Sequence, residues 1–417
     1  MKTKFVVGIL ALLFVFCSDG SVLAEDSKGP CNILQPDGDT LLNWIHDYEM
    51  APRAYIDKSI DISSMPGAFS LLSHLQYNAA ERNQGSCRNT VQWVGTGIMG
   101  IALDVQEHIL DRLSVQFASA CDTERRACCG GGSLGGFVDF FTSQGYTIPW
   151  SNTNASWQNV DGRCNVPCSS IGTSPNYAID SIVEEKIETH GVGQAEAIAN
   201  IKNVLHQNKA VLFTWFWPTW ADWGSFLDFW NTEGEDVITN LDSECGHIAK
   251  PGQIGAHAVL CVGYDDTDPS NSYWIMVNSW GTAGGGRPNG IFRLDMDMNY
   301  DCTFWNYDEW TESYYWKTLD VSFNISNITL YVESSGTCDG KTPCYSTVQG
   351  AINAAGDFDT ILVAAGTYEE DISLNASKNL TLKGGYDSTF TAQSSNTTLN
   401  SFTTSNGYTV IDRLILQ

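Results

Sequence analysis

Basic residues are scarce in this chain of 417 residues. Lysine and arginine total 22 against 48 aspartates and glutamates, which gives a formal net charge of −26. Because such a chain repels a phosphate backbone, we expect no nucleic acid partner. Beyond the first 24 residues, no apolar run is long enough to cross a bilayer, so we also expect no membrane span. Hydrophobic residues still make up 43% of the chain, enough for a large buried core in two or three domains.

The first residues have the pattern of an export leader. Two lysines precede an apolar run at 5–16, and a small-residue cleavage pattern ends at Ala24. We therefore interpret residues 1–24 as a signal peptide that is removed, and we expect a secreted, extracellular or cell-envelope protein. Cys17 offers lipid attachment as the alternative. Without Cys17, 12 of the 13 cysteines remain, an even number that suits disulfides in an oxidising compartment.

Periodicity divides the rest of the chain. Residues 25–66 form a polar N-terminal lead-in or short pro-segment, whereas residues 67–320 mix helical and strand patterns and are rich in tryptophan, glycine and cysteine. Gly95, Gly97 and Gly100 fall inside one predicted helix and indicate tight packing in a core. The predicted elements are helices at 41–48, 90–103 and 195–207 and strands at 210–217, 257–264 and 273–277.

The composition changes near residue 321, where tryptophan stops. Three β-branched runs, at 360–364, 380–383 and 408–414, each follow polar turn residues at a spacing of about 20–28 residues, which is typical of a solenoid. This tail, residues 321–417, resembles the first coils of a right-handed parallel β-helix of the pectin-lyase-like kind. Such a domain suggests a glycan or surface partner for the tail.

Three motifs in residues 67–320 indicate the chemistry. The first, at 83–93, is N-Q-G-S-C-R-N-T-V-Q-W; the second, at 257–264, is H-A-V-L-C-V-G-Y; the third, at 278–281, is N-S-W-G. In this order and spacing they resemble the papain family of cysteine peptidases. The resemblance implies an α+β papain-like fold of two lobes, one helical and one a β-sheet, with a cleft that takes a peptide or protein. It implies proteolysis as the family activity, with no cofactor and no metal.

The resemblance also assigns roles to motif residues. Gln84 takes the position of the side chain that donates to the oxyanion of a tetrahedral intermediate. His257 takes the position of the catalytic base, and Asn278 that of the residue whose carbonyl oxygen orients the imidazole. Trp280 would shield the hydrogen bond between them.

Cysteine positions carry a further implication of the resemblance. The disulfides it implies would clamp the walls of the cleft: Cys87 with Cys128, and Cys121 with either Cys164 or Cys168. Cys261 lies mid-strand among apolar residues, which predicts a buried free thiol.

Thr90 occupies the position of the family's nucleophilic cysteine. A threonine hydroxyl titrates on the order of five or more units above a thiol, so no resting ion pair with His257 forms. Its β-branched side chain is also stiff, and the methyl group crowds the line of attack. Arg88 and Val91 depart from the family pattern beside it. We therefore expect a catalytically impaired member of this family that retains a peptide-binding cleft.

Several alternatives remain open. Thr90 can act as a helix N-cap without a catalytic role, or it can act as a slow hydroxyl nucleophile. A shifted register would make Cys87 the nucleophile and the protein an active peptidase. The tail could instead carry the function, as a surface adhesion or carbohydrate-binding solenoid.

Overall fold

The computed structural model describes residues 36–417 except 108, 123–127, 307–308, 325–327, 357, 376–377 and 406–408. The expected leader, with Cys17, therefore lies outside the described residues. The helices are α1 (Gly38–Met50), α2 (Thr90–Glu107), α3 (Val115–Cys121), α4 (Leu134–Gln144), α5 (Gln194–His206), α6 (Trp220–Thr232) and α7 (Val348–Ala354). Within the described part of the chain, none of these helices has the length and apolar character needed to cross a membrane.

The strands fall into a large sheet and a set of parallel tail strands. Those of the first part are β1 (Ala68–Ser70), β2 (Tyr146–Thr147), β3 (Tyr177–Lys186), β4 (Val211–Trp217), β5 (Ile238–Thr239), β6 (Gly255–Asp265), β7 (Tyr273–Val277), β8 (Ile291–Asp295), β9 (Thr303–Asn306), β10 (Glu309–Glu312) and β11 (Tyr314–Phe323). Those of the tail are β12 (Thr329–Val332), β13 (Cys344–Tyr345), β14 (Thr360–Ala364), β15 (Gly366–Leu374), β16 (Leu380–Tyr386), β17 (Thr397–Thr404), β18 (Thr409–Asp412) and β19 (Leu414–Leu416).

Strand β6 lies at the centre of the large sheet. The strand order is β2-β3-β11-β4-β6-β7-β8-β5, and β1 also pairs with β6. All residues of β6 are buried except the last, because helix α2 packs against it and neighbouring strands cover its edges. The antiparallel pairing of β6 with β7, across the acidic turn at 266–272, confirms the predicted strand pair.

Helix α2 begins at Thr90 and confirms the predicted helix. A Cβ atom added at Gly95 would lie 2.5 Å from the ring of Phe137 on α4, and one at Gly97 would lie 2.7 Å from a methyl of Leu260 on β6. These two glycines therefore let the helix approach both neighbours. Gly100 has no such contact, because the nearest atom to an added Cβ is 3.9 Å away.

Helix α1 confirms the helical spacing predicted at 41–48. Asp37 caps it by accepting a 2.9 Å hydrogen bond from the Thr40 amide. Its apolar face packs on β4, β6 and β11: Leu41 is fully buried and Tyr48 makes an edge-on ring contact with Tyr315. This part of the lead-in is therefore ordered against the sheet.

The disulfides near the start of α2 differ from the expected pairing. Cys87 bridges Cys129 and not Cys128. Its neighbour Cys128 bridges Cys164, which leaves Cys121 to bridge Cys168. The adjacent residues Cys128 and Cys129 thus link one short segment to Cys164 and to Cys87 before α2. The family spacing did not distinguish which of these two adjacent cysteines bonds to Cys87.

The remaining described cysteines form two further bridges, Cys245–Cys302 and Cys338–Cys344. Cys261 is a free and fully buried thiol, as predicted. Burial raises the pKa of this thiol to about 12. The cysteines among the described residues thus form five bridges and leave one free thiol.

The tail strands stack in parallel. One sheet has the order β13-β12-β14-β16-β18 and the other β15-β17-β19. Consecutive strands of the first sheet keep matched apolar positions in register, so that Ile361 lies beside Leu382 and Leu382 beside Ile411. The structure therefore contains a parallel strand ladder in the three β-branched runs, and its assignment to a β-helix stays a prediction.

Strand β11 continues past the expected domain boundary at residue 321, and that boundary stays a prediction. Strand β11 pairs with β3 through Phe323, so residues 321–323 belong to the large sheet. At this end of β11, buried and accessible residues alternate.

We expect opposite effects from alanine at two glycines of α2. Gly95→Ala should lower the free energy of unfolding by about 1–3 kcal/mol, because the new methyl overlaps the Phe137 ring. Gly100→Ala should leave it unchanged or raise it by up to about 1 kcal/mol, since that position is open and alanine favours a helix. Urea unfolding of both variants measures the difference. Equal effects would contradict the packing described for α2.

Candidate active site

The hairpin of β6 and β7 brings His257 and Asn278 together. Leu260 pairs with Val277 across the two strands, so the same register continued places position 280 opposite position 257. Asn278 follows the end of β7 and its amide donates a 3.0 Å hydrogen bond to the Gly290 carbonyl. His257 and Asn278, which are 21 residues apart in the chain, are therefore in direct contact.

The two side chains form a hydrogen bond in the expected orientation. His257 Nε2 lies 2.9 Å from Asn278 Oδ1. Because an amide oxygen can only accept, the proton sits on Nε2, and the lone pair of Nδ1 is left available to accept a proton. Asn278 Oδ1 also accepts from the amide of Ser279 at 2.8 Å, which fixes its direction.

Tryptophan rings enclose the imidazole. Trp280 stacks on His257 with ring centroids 4.6 Å apart, and Trp215 and Trp223 meet the imidazole edge-on at 5.1 and 6.1 Å. Burial lowers the pKa of His257 to about 4, and the hydrogen bond to Asn278 offsets only part of this effect. The imidazole is therefore neutral at ordinary pH.

Arg82 stabilises the dyad, the hydrogen-bonded pair of His257 and Asn278. It is buried, and its Nε donates to the Asn278 carbonyl at 3.2 Å while Nη2 donates to the Trp93 carbonyl of α2 at 2.9 Å. The guanidinium thus ties the residue after β7 to the first turn of the helix that begins at Thr90. Burial lowers the pKa of Arg82 to about 10.

Gln84 is held in a hydrogen-bond network. Its Oε1 accepts from the Ser279 hydroxyl at 2.6 Å, and its Nε2 donates to the Cys87 carbonyl at 2.7 Å. The backbone amide of Gln84 also donates to the Ser279 carbonyl at 2.8 Å. The side chain is therefore fixed beside the dyad segment, and its role toward an oxyanion stays a prediction.

Thr90 is the first residue of α2 and lines the same cavity as His257. The expectation that it caps the helix is wrong. The Asn89 carbonyl accepts the 3.3 Å hydrogen bond from the Trp93 amide, which makes Asn89 the residue before the first turn. The Thr90 side chain therefore belongs to the helix proper and to the cavity wall.

Cys87 is not available as a nucleophile. Its sulfur is bonded to Cys129 and the residue is fully buried. The alternative register in which Cys87 attacks a substrate is therefore wrong. Cys128, expected as its partner, is likewise bonded, to Cys164.

The two other departures from the family pattern, Arg88 and Val91, differ in their exposure. Arg88 is exposed on the surface, whereas Val91 is buried and lines the cavity beside Thr90. The smaller valine therefore forms part of the cleft wall where the family pattern has a tryptophan.

The cavity lined by Thr90 and His257 has a volume of about 570 Å³, which includes space open to solvent. Its walls come from α1, α2, the start of α4, and strands β4, β6 and β11. The lining residues other than Thr90, Val91 and His257 are Trp44, Ile45, Tyr48, Gly132, Ser133, Leu134, Leu212, Thr214, Phe216, Ala256, Ala258, Tyr315 and Lys317. Most of these are apolar, and helix α1 closes one side of the cleft.

Three sulfurs come within metal-binding distance of one another. They belong to Cys87, Cys128 and Cys129, and their atoms lie within 4.8 Å. All three are in disulfides, so none can offer a thiolate to an ion. This is the one such cluster in the described part of the chain.

Sequence reasoning grouped His257, Asn278, Trp280 and Thr90 in one site but missed their supports. Arg82 gave no signal, because an isolated arginine is normally a surface residue. Ser279 falls inside the N-S-W-G motif, and Trp215 lies in a predicted strand. Only the structure shows that the Ser279 hydroxyl donates to Gln84 and that Trp215 pairs with His257 across β4 and β6.

The buried imidazole should make the fold sensitive to acid. Between pH 6.5 and about 4 the unfolded chain protonates at His257 while the folded chain does not, so stability falls as the pH falls through this window. Relative to His257→Gln, the wild type should lose up to about 3 kcal/mol over that range. Urea unfolding at several pH values measures this. An imidazole NMR signal already protonated at pH 6 would contradict it.

Comparison with known proteins gives a partial match. The papain family cysteine protease description matches residues 239–309, which include His257 and Asn278. The senescence-specific cysteine protease of Arabidopsis thaliana is 27% identical over 219 residues, 52% of this chain and 53% of that protein. Vignain of Ricinus communis is 26% identical over 220 residues, 52% of this chain and 51% of that protein. The chain thus spans about half the length of these relatives.

Two solved structures are similar to part of this chain. Procathepsin B S9 from Trypanosoma congolense has a TM-score of 0.47 and 13% identity, over 67% of this chain and 85% of that one. The proform of the ragweed pollen cysteine protease Amb a 11 has a TM-score of 0.46 and 16% identity, over 69% of this chain and 75% of that one. Residues 239–309, which contain the hydrogen-bonded pair of His257 and Asn278, therefore resemble the papain family of cysteine proteases.

Proposed function

We propose that this protein is an exported member of the papain family whose cleft binds peptides without hydrolysing them. The observation that carries the proposal is Thr90, which occupies the nucleophile position at the start of α2 and lines the same cavity as His257. No thiol among the described residues faces that cavity, since Cys261 is buried inside β6 and the others are in disulfides.

The acid–base chemistry of the site supports inactivity. A cysteine nucleophile works as a thiolate paired with an imidazolium, and a threonine hydroxyl cannot form that pair. As a general base toward a hydroxyl, His257 is weak, because its pKa is lowered to about 4 by burial. Hydroxyl attack therefore has neither a resting ion pair nor a strong base.

The cleft walls support ligand binding. A mostly apolar cavity with a few polar groups suits a side chain of an extended peptide. Backbone hydrogen bonds along such a cleft do not depend on the nucleophile. Because helix α1 contributes Trp44, Ile45 and Tyr48 to this cavity, a bound peptide contacts the lead-in as well as the two lobes.

The export of the protein and the architecture of the tail belong to the same proposal. Residues 1–24 would direct secretion, and the parallel ladders of β12 to β19 would be the first coils of a β-helix. The cleft and the tail would then act outside the cell, where disulfides are stable.

The decisive experiment compares the wild type with Thr90→Cys. The wild type should neither cleave peptide substrates nor react with an epoxide or vinyl-sulfone peptide at position 90. Thr90→Cys should be labelled there, and Thr90→Cys combined with His257→Ala should react more slowly by roughly 10²-fold or more. Intact mass and peptide mapping measure labelling.

Two controls separate the outcomes. Thr90→Ser keeps a hydroxyl without the β-methyl group, so it tests steric hindrance alone. Iodoacetamide, which is small, reports whether the thiol introduced by Thr90→Cys is reachable when the larger peptide reagent is not. Wild-type turnover that disappears in His257→Ala would overturn the proposal of inactivity, and a wild type that binds no peptide would overturn the binding cleft.

A further inference from the structure

Two disulfides meet just before helix α2. Cys87 is bonded to Cys129, and Cys128 is bonded to Cys164. The sulfur of Cys128 lies 3.4 Å from that of Cys129, although these two atoms are not bonded to each other. The sulfurs of Cys87, Cys128 and Cys129 all lie within 4.8 Å of one another. A sulfur of one disulfide is therefore close to both sulfurs of the other.

The Cys128–Cys164 disulfide has one end in solvent. Cys164 is exposed, whereas its partner Cys128 is buried. Thiol–disulfide exchange begins when a thiolate attacks a sulfur that it can reach. A small thiol from solvent can therefore attack Cys164, and this attack releases Cys128 as a thiolate beside the other disulfide.

Asn159 favours this direction of cleavage. The residue is buried, and its Nδ2 donates a 3.2 Å hydrogen bond to Cys128 Sγ. A hydrogen bond donated to a thiolate stabilises the charged form. Because a more stable thiolate leaves a disulfide faster, Cys128 is the better leaving group of the Cys128–Cys164 bond.

Burial selects the sulfur that the Cys128 thiolate attacks next. Attack on Cys129 would expel Cys87, which is fully buried, and burial disfavours a thiolate. Attack on Cys87 instead expels Cys129, which is half-buried and partly open to water. The second path therefore forms a Cys87–Cys128 bond. Cys87 stays bonded throughout, so the segment before α2 remains anchored.

We propose that Cys128 is a thiol–disulfide exchange site at which a small thiol interconverts two disulfide pairings. The thiolate RS⁻ bonds to Cys164, and Cys128 leaves. The Cys128 sulfur then bonds to Cys87, and Cys129 leaves as a thiolate. Finally Cys129 attacks the mixed disulfide at Cys164, which closes a Cys129–Cys164 bond and releases RS⁻. Two disulfides replace two disulfides, so the thiol is regenerated and nothing is oxidised or reduced overall.

The test uses the oxidised full chain with reduced glutathione as the thiol. After acid quenching and alkylation, peptide mapping without reduction identifies each bond and each free thiol. We expect loss of the Cys87–Cys129 peptide to be matched by gain of a Cys87–Cys128 peptide. Alkylated Cys129 together with glutathione on Cys164 is the expected trapped intermediate.

The Cys121–Cys168 disulfide is a matched control in the same molecule. Cys168 is exposed, as Cys164 is, but among the described residues no third sulfur lies as close to this bond. Glutathione can open the bond, yet only Cys121 and Cys168 are placed to close it. We therefore expect no new partner for Cys121. Equal scrambling of this bond would indicate general unfolding and would overturn a specific site at Cys128.

Two variants release one thiol each without a reductant. In Cys164→Ser, the free thiol should be shared between Cys128 and Cys129, whereas in Cys168→Ser it should stay on Cys121. Asn159→Ala should slow the appearance of the Cys87–Cys128 peptide in an otherwise unchanged chain by roughly tenfold.

The results that overturn the proposal are equally specific. A single pairing that glutathione leaves unchanged in the wild type would do so, because the wild type needs no variant to fold. A free thiol confined to Cys128 in Cys164→Ser would also do so, since it would show that the thiolate does not attack the neighbouring disulfide.

Discussion

The burial of strand β6 is the constraint on which the site depends. It pairs with β4, β7 and β1, and α2 reaches it because Gly97 has no side chain to collide with Leu260. A strand enclosed in this way has its register fixed, since a slip of one residue would turn every side chain to the opposite face. His257 is therefore placed by the whole sheet, and its contact with Asn278 follows from the pairing with β7. The tryptophans that stack around the imidazole complete an apolar environment in which the base stays neutral.

Much of this site could be predicted from the sequence, because its parts lie in short motifs whose spacing a hairpin and a helix preserve. His257, Asn278 and Trp280 come together as expected, and Thr90 begins the helix that the apolar pattern indicated. Two predictions failed, the disulfide partner of Cys87 and the N-cap of α2, because both depend on the positions of side chains in three dimensions. The partner of Cys87 could not be chosen between two cysteines that are adjacent in sequence but whose side chains reach different partners. The capping role assigned to Thr90 was wrong because the helix begins one residue earlier than such a cap requires.

The placement of charged side chains was the other feature that the sequence concealed. Arg82 belongs to none of the three motifs, yet the structure encloses it between the Asn278 and Trp93 carbonyls. Glu312 and Glu49 are far apart in sequence and line one cavity only because α1 packs beside β10 and β11. Amphipathic patterns predict which faces of an element are apolar, but they do not predict which charged side chains two elements bring together. The net charge of −26 predicts repulsion of anions in general, but it does not predict where individual charged side chains lie.

Strand β11 also has a mechanical consequence. It lies between β3 and β4, contributes Tyr315 and Lys317 to the cleft, and ends at Phe323, shortly before the tail strands begin at Thr329. At that end, Gln106 of α2 donates to the Val321 carbonyl at 2.7 Å and accepts from the Phe323 amide at 3.1 Å. Tension applied to the tail would act along β11. It would load the two hydrogen bonds to Gln106 together with the antiparallel ladders that β11 forms with β3 and β4. A pull on the tail would therefore be transmitted to the cleft wall and to the helix that begins at Thr90.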